Sequence, residues 1–248
     1  MNAGKYIRWN HIFQKDGKTV IVAMDHSTGG VAPGLEDYLG TVKKVAAGGA
    51  DAILLSYGNM LALAKDLPRN VGFIVGIPRP PRPEFVKEAA IAGADALKFT
   101  HFGTLRDANL QALQPIAAEC EKYGIVFMPE VVPQDEKRST LYEQVASAAR
   151  LGQEAGGDFI KTSYTGSVES FRSAVKTCPI PIVILGGAKM DSDREVLEVA
   201  KGAIDAGGAG TCMGRNVFQH SNPTAITAAL VKIVHGGATV DEALSVLQ

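Results

Sequence analysis

Lys161 closes the segment Asp158-Phe159-Ile160-Lys161-Thr162-Ser163-Tyr164, where a strand pattern should meet solvent. A lysine held among apolar side chains loses hydration, so its charged form is disfavoured and its pKa falls towards the range where the neutral amine attacks carbonyls. That is imine chemistry. The competing description is a lysine that leans from the strand end and carries its ammonium into water. Glu130 sits in a second apolar stretch, Phe127-Met128-Pro129-Glu130-Val131-Val132-Pro133. Strand alternation places Met128 and Glu130 on one side, and a carboxyl group among apolar neighbours has a raised pKa suited to moving a proton near neutral pH. Its alternative is a cap or an ion-pair partner for a nearby lysine. Asp25 follows Val20-Ile21-Val22-Ala23-Met24 and could orient substrate hydroxyls or hold the lysine in register; the plainer reading is a turn cap. Lys98 is a second lysine within a strand pattern, with Thr100 on its side. It is either a rival imine former or a positive charge that lowers the pKa of Lys161.

These residues need a scaffold that brings distant segments together. A recurring phrase supplies it: Ala47-Gly48-Gly49-Ala50-Asp51-Ala52-Ile53, Ala92-Gly93-Ala94-Asp95-Ala96-Leu97, Ala155-Gly156-Gly157-Asp158-Phe159-Ile160 and Ala206-Gly207-Gly208-Ala209-Gly210. Each follows a helical pattern and precedes a short apolar run, as expected where glycine ends a helix and turns into a strand. Eight strands are predicted at Thr19–Met24, Ala52–Leu55, Phe73–Ile77, Ala96–Thr100, Ile125–Met128, Phe159–Thr162, Ile182–Leu185 and Gly210–Met213. They are short and mostly continuous in hydrophobicity, like parallel strands covered on both faces. Amphipathic stretches separate them: Leu35–Val45, Asn59–Leu67, Pro83–Ile91, Leu105–Tyr123, Leu141–Glu154, Val168–Val175, Arg194–Ile204 and Pro223–Val234. Start signals include Pro83 with Glu84, Ser139 or Thr140 before Leu141, and Asn222 before Pro223. Eight strand-helix units in 248 residues predict one α/β domain over 1–248, a single (β/α)8 TIM barrel, with Gly4 to Gly17 as a lid over its bottom.

Chemistry in such a barrel sits at the carboxyl ends of the strands. That rule selects Asp25 and His26, Ser56 and Tyr57, His101, Glu130, Lys161, Gly186 and Gly187, and Gly214 and Arg215. The glycine turns Leu185-Gly186-Gly187-Ala188-Lys189 and Met213-Gly214-Arg215-Asn216 follow strands seven and eight, the usual phosphate-binding pair. Arg215 adds a fork-shaped cation; the bland alternative is two ordinary turns and a surface arginine. His26, Ser56 and His101 complete the candidate substrate-binding set. Nucleotide-binding glycine motifs and H-E-x-x-H are absent from the sequence, and Asp25-His26 lacks further ligands, so neither a cofactor nor a metal is expected. With 25 Lys+Arg against 26 Asp+Glu the chain is nearly neutral, which gives no electrostatic case for nucleic acid or an acidic membrane. Cys120, Cys178 and Cys212 lack metal-ligand spacing and read as reduced core thiols of a cytoplasmic protein. Neither a signal peptide nor a membrane span is legible.

The chain resembles the class I aldolases of the DeoC/FbaB/LacD group, which includes archaeal-type fructose-bisphosphate aldolases and DhnA-like relatives. The resemblance is carried by Val20-Ile21-Val22-Ala23-Met24-Asp25-His26, Asp158 to Gly166, Pro181-Ile182-Val183-Ile184-Leu185-Gly186-Gly187 and Met213-Gly214-Arg215-Asn216-Val217-Phe218-Gln219. It implies that Lys161 is the Schiff-base lysine, Asp25 a site carboxylate, and the two glycine loops with Arg215 a phosphate pocket. One departure stands out. Archaeal-type enzymes carry a proton-donating tyrosine in a Tyr-Pro-Arg-Gly segment after strand five, where this chain reads Val132-Pro133-Gln134-Asp135. Aldolases of the LacD type instead use a glutamate in a Phe-Leu-Glu context, which Phe127-Met128-Pro129-Glu130 resembles. The resemblance therefore implies a cofactor-independent homo-oligomeric aldolase with a phosphorylated sugar as substrate and Glu130 as acid/base. Its rivals are a lysine-dependent thiolase or synthase of the same group, a phosphate-binding barrel isomerase, and a non-catalytic sugar-phosphate binder.

Overall fold

The computed structural model of the chain describes residues 2–26, 30–103, 110–133 and 141–247. Its centre is a closed barrel of eight parallel strands in sequential order: β1 (Thr19–Ala23), β2 (Ala52–Leu55), β3 (Gly72–Gly76), β4 (Ala96–Gly103), β5 (Val126–Pro133), β6 (Ile160–Thr162), β7 (Ile182–Leu185) and β8 (Gly210–Met213). The helices are α1 (Ala3–Ile12), α2 (Tyr38–Ala47), α3 (Tyr57–Leu63), α4 (Phe85–Ile91), α5 (Leu110–Tyr123), α6 (Tyr142–Glu154), α7 (Val168–Lys176), α8 (Asp193–Asp205), α9 (Arg215–Phe218), α10 (Pro223–Val234) and α11 (Val240–Leu244). The eight predicted strands and the barrel are all present. Asn222 caps α10 by accepting from Ala225 N, with Pro223 in the first turn, as its sequence signal requires. At α4 the helix starts at Phe85, and Glu84 makes no side-chain cap bond. The proposed starts at Leu105, Ser139 and Thr140 lie outside the described residues.

Strand alternation sorts the core into two layers. Val20, Val22, Ile53, Leu55, Leu97, Phe127, Ile160 and Ile184 face the helices. Ile21, Ala23, Ala52, Leu54, Ile74, Ala96, Val126, Met128, Phe159, Val183 and Cys212 face inward and pack with Ile12 and Phe13. All three cysteines are buried free thiols. One glycine of each repeat, at 49, 93, 156 and 207, has φ between +92° and +96°, the left-handed turn that redirects helix into strand.

The aspartates of those repeats have a use that the sequence pattern did not reveal. Asp51 accepts from Val20 N at 2.6 Å, Asp95 from Phe73 N at 2.8 Å and Asp158 from Phe127 N at 2.8 Å. Each thus bonds the start of its own strand to the preceding one. Their remaining valences are met from outside the barrel, largely by α1: Lys5 Nζ donates to Asp158 Oδ1 at 2.9 Å, and His11 Nδ1 lies 2.7 Å from Asp95 Oδ1. Just beyond the helix, Gln14 Nε2 donates to Asp51 Oδ1 at 2.7 Å. The predicted bottom lid is therefore a helix. Its periodicity was hidden because charged residues occupy its buried face; Lys5 is 3% exposed.

His235 lies 2.9 Å from both Asp51 Oδ2 and Asp16 Oδ2. Burial opposes its charge, but hydrogen bonds to the two aspartates outweigh burial and raise its pKa above the ordinary 6.5. A raised folded-state pKa contributes stability that is complete below 6.5 and disappears as pH climbs through the raised value. For this half-buried group the effect is about 1 kcal/mol at most. His235→Gln is expected to lower Tm at pH 6 and to leave it nearly unchanged at pH 9. An equal loss at both pH values rules out the charged contact. No helix among the described residues is long and apolar enough to cross a membrane.

Candidate active site

Inward parity, established by the apolar residues, also decides which polar groups meet. Phe159 points inward, so Lys161 does as well; Ala96 carries Lys98 and Thr100 with it, Met128 carries Glu130, and Ala23 leads to Asp25. In the β5–β6 ladder Glu130 pairs in register with Lys161, and in the β4–β5 ladder Thr100 pairs with Glu130. The result is a cluster at the carboxyl end of the barrel. It lines a cavity of about 790 Å³ with Asp25, His26, Ser56, Gly76, Ile77, Pro78, Arg79, Lys98, Thr100, Phe102, Glu130, Lys161 and Arg215.

Lys161 Nζ is 2.6 Å from Glu130 Oε1. The other carboxylate oxygen, Oε2, accepts from Thr100 Oγ1 at 2.7 Å and lies 3.2 Å from Lys98 Nζ. Lys98 Nζ also reaches Asp25 Oδ2 at 2.7 Å and Thr100 Oγ1 at 2.7 Å. Three acceptors therefore surround Lys98, matching the three donors of an ammonium. Lys161 has one partner among the described residues and is 6% exposed. Of the two lysines, its nitrogen is the less committed and the freer to bond a carbonyl carbon.

Two electrostatic expectations are overturned. The sequence reading set an apolar environment, which depresses the lysine and raises the glutamate, against an ion-pair alternative for Glu130 and a nearby lysine. Burial does push in those directions, but the carboxylates of Glu130 and Asp25 hold the Lys161 pKa above its ordinary value. The thiol of Cys212, its pKa pushed up to about 11 by burial, is neutral at pH 7 and adds no charge of its own. The ammoniums of Lys161 and Lys98 likewise overcome the desolvation of Glu130 and hold it at about 2. The resting site is an ion-paired network of two carboxylates and two ammoniums.

His26 stands beside this network. Burial lowers its pKa below 6.5, and the positive charges of Lys161, Arg215 and Lys98 add to that against the pull of Asp25. Its Nδ1 is 4.0 Å from Asp25 Oδ1, too far for a hydrogen bond, and is buried without a partner among the described residues. Ser56 caps α3 by accepting from Asn59 N at 3.3 Å while lining the cavity. Thr100 and Phe102 line the cavity whereas His101, between them on β4, does not.

The loops after β7 and β8 lock together. Arg215 Nη2 donates to Gly187 O at 2.8 Å, and the buried Asn216 donates through Nδ2 to Gly186 O at 2.9 Å and Ala188 O at 3.2 Å. Gly214 packs against β1: a Cβ there would lie 2.7 Å from both Ala23 O and His26 Cε1. Arg215 lines the main cavity; Gly186, Gly187 and Gly214 do not. Sequence reasoning missed Asn216, which reads as one more turn residue, and Arg79, which follows β3 inside Pro78-Arg79-Pro80-Pro81. Position at the carboxyl end of a strand was the signal that could have found Arg79. Gln134 and Asp135, the site of the departure from archaeal-type enzymes, lie outside the described residues.

A closed (β/α)8 barrel with a buried lysine-carboxylate network at the carboxyl ends of its strands defines the class of this protein by its architecture. A family model described as the DeoC/LacD family aldolase matches residues 19–220. The chain belongs to the DeoC/LacD family of aldolases, and it is accordingly a lyase. It is 35% identical over 262 residues to the 2-amino-3,7-dideoxy-D-threo-hept-6-ulosonate synthase of Halobacterium salinarum, covering 98% of this chain and 96% of the relative. An uncharacterised aldolase of Saccharolobus solfataricus is 32% identical, with 99% of each chain covered. Among solved structures, an archaeal fructose 1,6-bisphosphate aldolase superposes with a TM-score of 0.79 at 25% identity, covering 94% of this chain and all of the other. A Schiff-base-forming fructose-1,6-bisphosphate aldolase gives 0.78, also at 25% identity, with coverage of 93% and 100%.

Proposed function

We propose that the chain cleaves, and in reverse forms, the C–C bond of a ketose 1-phosphate, giving glycerone phosphate and an aldehyde through an imine on Lys161. The observation that carries this reading is the 2.6 Å contact between Lys161 Nζ and Glu130 Oε1 in the cavity that Arg215 also lines. Substrate entering this cavity displaces water, and a drier site penalises both charged partners, so the ammonium proton passes to Glu130. The freed amine adds to the ketose carbonyl. Glu130 returns the proton to the resulting hydroxyl, which leaves as water and completes the iminium. Glu130, again a carboxylate, then removes the proton of the C4 hydroxyl; the C3–C4 electron pair moves into the iminium, and the aldehyde departs. The enamine takes the proton back at carbon, and water hydrolyses the imine to release glycerone phosphate. The iminium is the electron sink, so the sequence of steps calls for no cofactor.

Lys98 holds Asp25 and Glu130 in place, and Asp25 is positioned to accept a substrate hydroxyl. Arg215 takes the phosphate at the side of the cavity nearest the loops after β7 and β8, with His26 and Ser56 as neutral polar groups on the cavity wall. The similarity to a heptulosonate synthase favours a second reading, in which the enamine is passed to a different aldehyde and the reaction is a transfer rather than a cleavage. Borohydride reduction in the presence of glycerone phosphate is expected to add one keto fragment to the intact protein, and peptide mapping is expected to locate it on Lys161. An adduct on Lys98, or none, defeats the assignment. Turnover with and without an added aldehyde acceptor separates cleavage from transfer.

A further inference from the structure

A second chamber, of about 420 Å³, opens beside the catalytic cavity and takes no part in the steps above. Asp25, His26 and Ser56 line both spaces, so the two meet at a shared wall. Met24 belongs to the layer of the core that faces the helices, and Tyr38 and Asn59 belong to α2 and α3. The chamber therefore lies outside the ring of strands, between β1 and those helices. Its body is apolar, built from Met24, Ala32, Leu35 and Tyr38. The phenol of Tyr38 donates to Met24 O at 3.2 Å, and Ser56 Oγ accepts from Asn59 N at 3.3 Å, so its polar groups are largely engaged within the protein.

The barrel aims the substrate at this space. In the closed order of strands β1 stands opposite β5, four steps away in either direction. Glu130 on β5 takes the C4 hydroxyl proton, and Asp25 follows β1. Lys98 Nζ lies 3.2 Å from Glu130 Oε2 and 2.7 Å from Asp25 Oδ2, so one ammonium spans the gap between the two carboxylates. A ketose with C2 on Lys161 and C4 at Glu130 runs its further carbons across the ring towards Asp25, behind which the chamber opens. Its lining decides what those carbons can carry. Among the described residues that line it, Asp25 is the one carboxylate, none is a lysine or arginine, and His26 is held neutral at pH 7. An anionic tail meets like charge there and finds no cation. A hydroxylated tail leaves water and gains few partners. A hydrocarbon tail gains by burial.

We infer that this chamber binds an uncharged apolar tail, alkyl or aryl, on the aldehyde half of the substrate. This rests on the aldolase reading above, with C4 at Glu130. Ala32 and Leu35 are then specificity residues: they select which aldehyde is released or accepted without touching the bond that breaks.

The test is aldol addition of glycerone phosphate to the straight-chain series from propanal to octanal, with glyceraldehyde 3-phosphate as the anionic comparison. In the wild-type enzyme kcat/KM is expected to rise roughly two- to fourfold per methylene until the chamber is full, and the best alkanal to exceed glyceraldehyde 3-phosphate. Ala32→Trp, which fills the chamber, is expected to end the rise at a shorter chain; Leu35→Ala, which enlarges it, at a longer one. A flat wild-type series overturns the inference, as does a preference for glyceraldehyde 3-phosphate. Solvent deuterium exchange into glycerone phosphate needs the imine and enamine but no aldehyde, so it reports the underlying reaction separately in every variant. A variant that exchanges while its series ends where the wild type's does also overturns the inference, and Leu35→Ala decides if Ala32→Trp does not exchange. Exchange with a flat series sinks the chamber assignment alone; a wild-type enzyme that exchanges nothing sinks the aldolase reading and the inference with it.

Discussion

Lys161→Arg is expected to lower kcat by roughly 10⁴-fold or more and to abolish borohydride trapping. Arginine keeps a positive charge opposite Glu130, yet its guanidinium stays protonated and cannot add to a carbonyl. Loss of turnover with a retained fold therefore reports lost nucleophilicity rather than a lost ion pair. The measurement also discriminates between reaction classes. A phosphate-binding isomerase that uses the lysine only as a charge keeps most of its activity with arginine; such an outcome removes the imine from the mechanism.

Glu130→Gln separates bond formation from bond cleavage. The amide can still accept hydrogen bonds, but it cannot take the C4 hydroxyl proton, and kcat is expected to fall by roughly 10²- to 10⁴-fold. Borohydride should still capture some keto adduct on Lys161, since an amine can lose its proton to solvent at high pH. Stability should change as well. Lys161 and Lys98 lie 2.6 and 3.2 Å from this carboxylate, and removing it leaves buried ammoniums undercompensated, a loss of about 3–5 kcal/mol. The pH dependence follows from the direction of the shift. Glu130 is held at about 2 against an ordinary 4.5, so its stabilisation is complete above 4.5 and vanishes as pH falls through about 2. Acid unfolding of the variant should accordingly be shallower across that interval. Equal acid profiles, or cleavage at wild-type speed, remove Glu130 from its role.

The barrel was legible because its signals are local. Short apolar runs, glycine at the helix-to-strand turn and eight repeats of that pattern are read along the chain, and parity within a run decides which side chain faces inward. Lys161, Glu130 and Asp25 came out of that reading. Their electrostatics did not, because the charges that set them arrive across ladders. Glu130 looks solitary among Phe127, Met128 and Val131, yet β4 and β6 bring it Lys98 and Lys161. Register between strands, not composition within them, decided for the ion-pair alternative and against the neutral amine and raised acid. Arg79 was missed for a different reason: it lies within a proline-rich turn that follows β3. α1 was missed because Lys5, Arg8 and His11 supply much of its attachment to the barrel, with carboxylates and carbonyls far along the chain as partners.

Those partners give α1 a place in the order of assembly. The helix precedes every strand, yet Arg8 binds the carbonyls of Ala94 and Gly124, and Lys5 reaches Asp158, 153 residues away. Contacts of such separation form late, after the intervening loop entropy has been met by other interactions. Seating α1 requires the segments before β4, β5 and β6 to be side by side already. The helix therefore behaves as a proofreader of closure, and protection of its amides from hydrogen exchange should lag behind that of β2 to β5 during refolding.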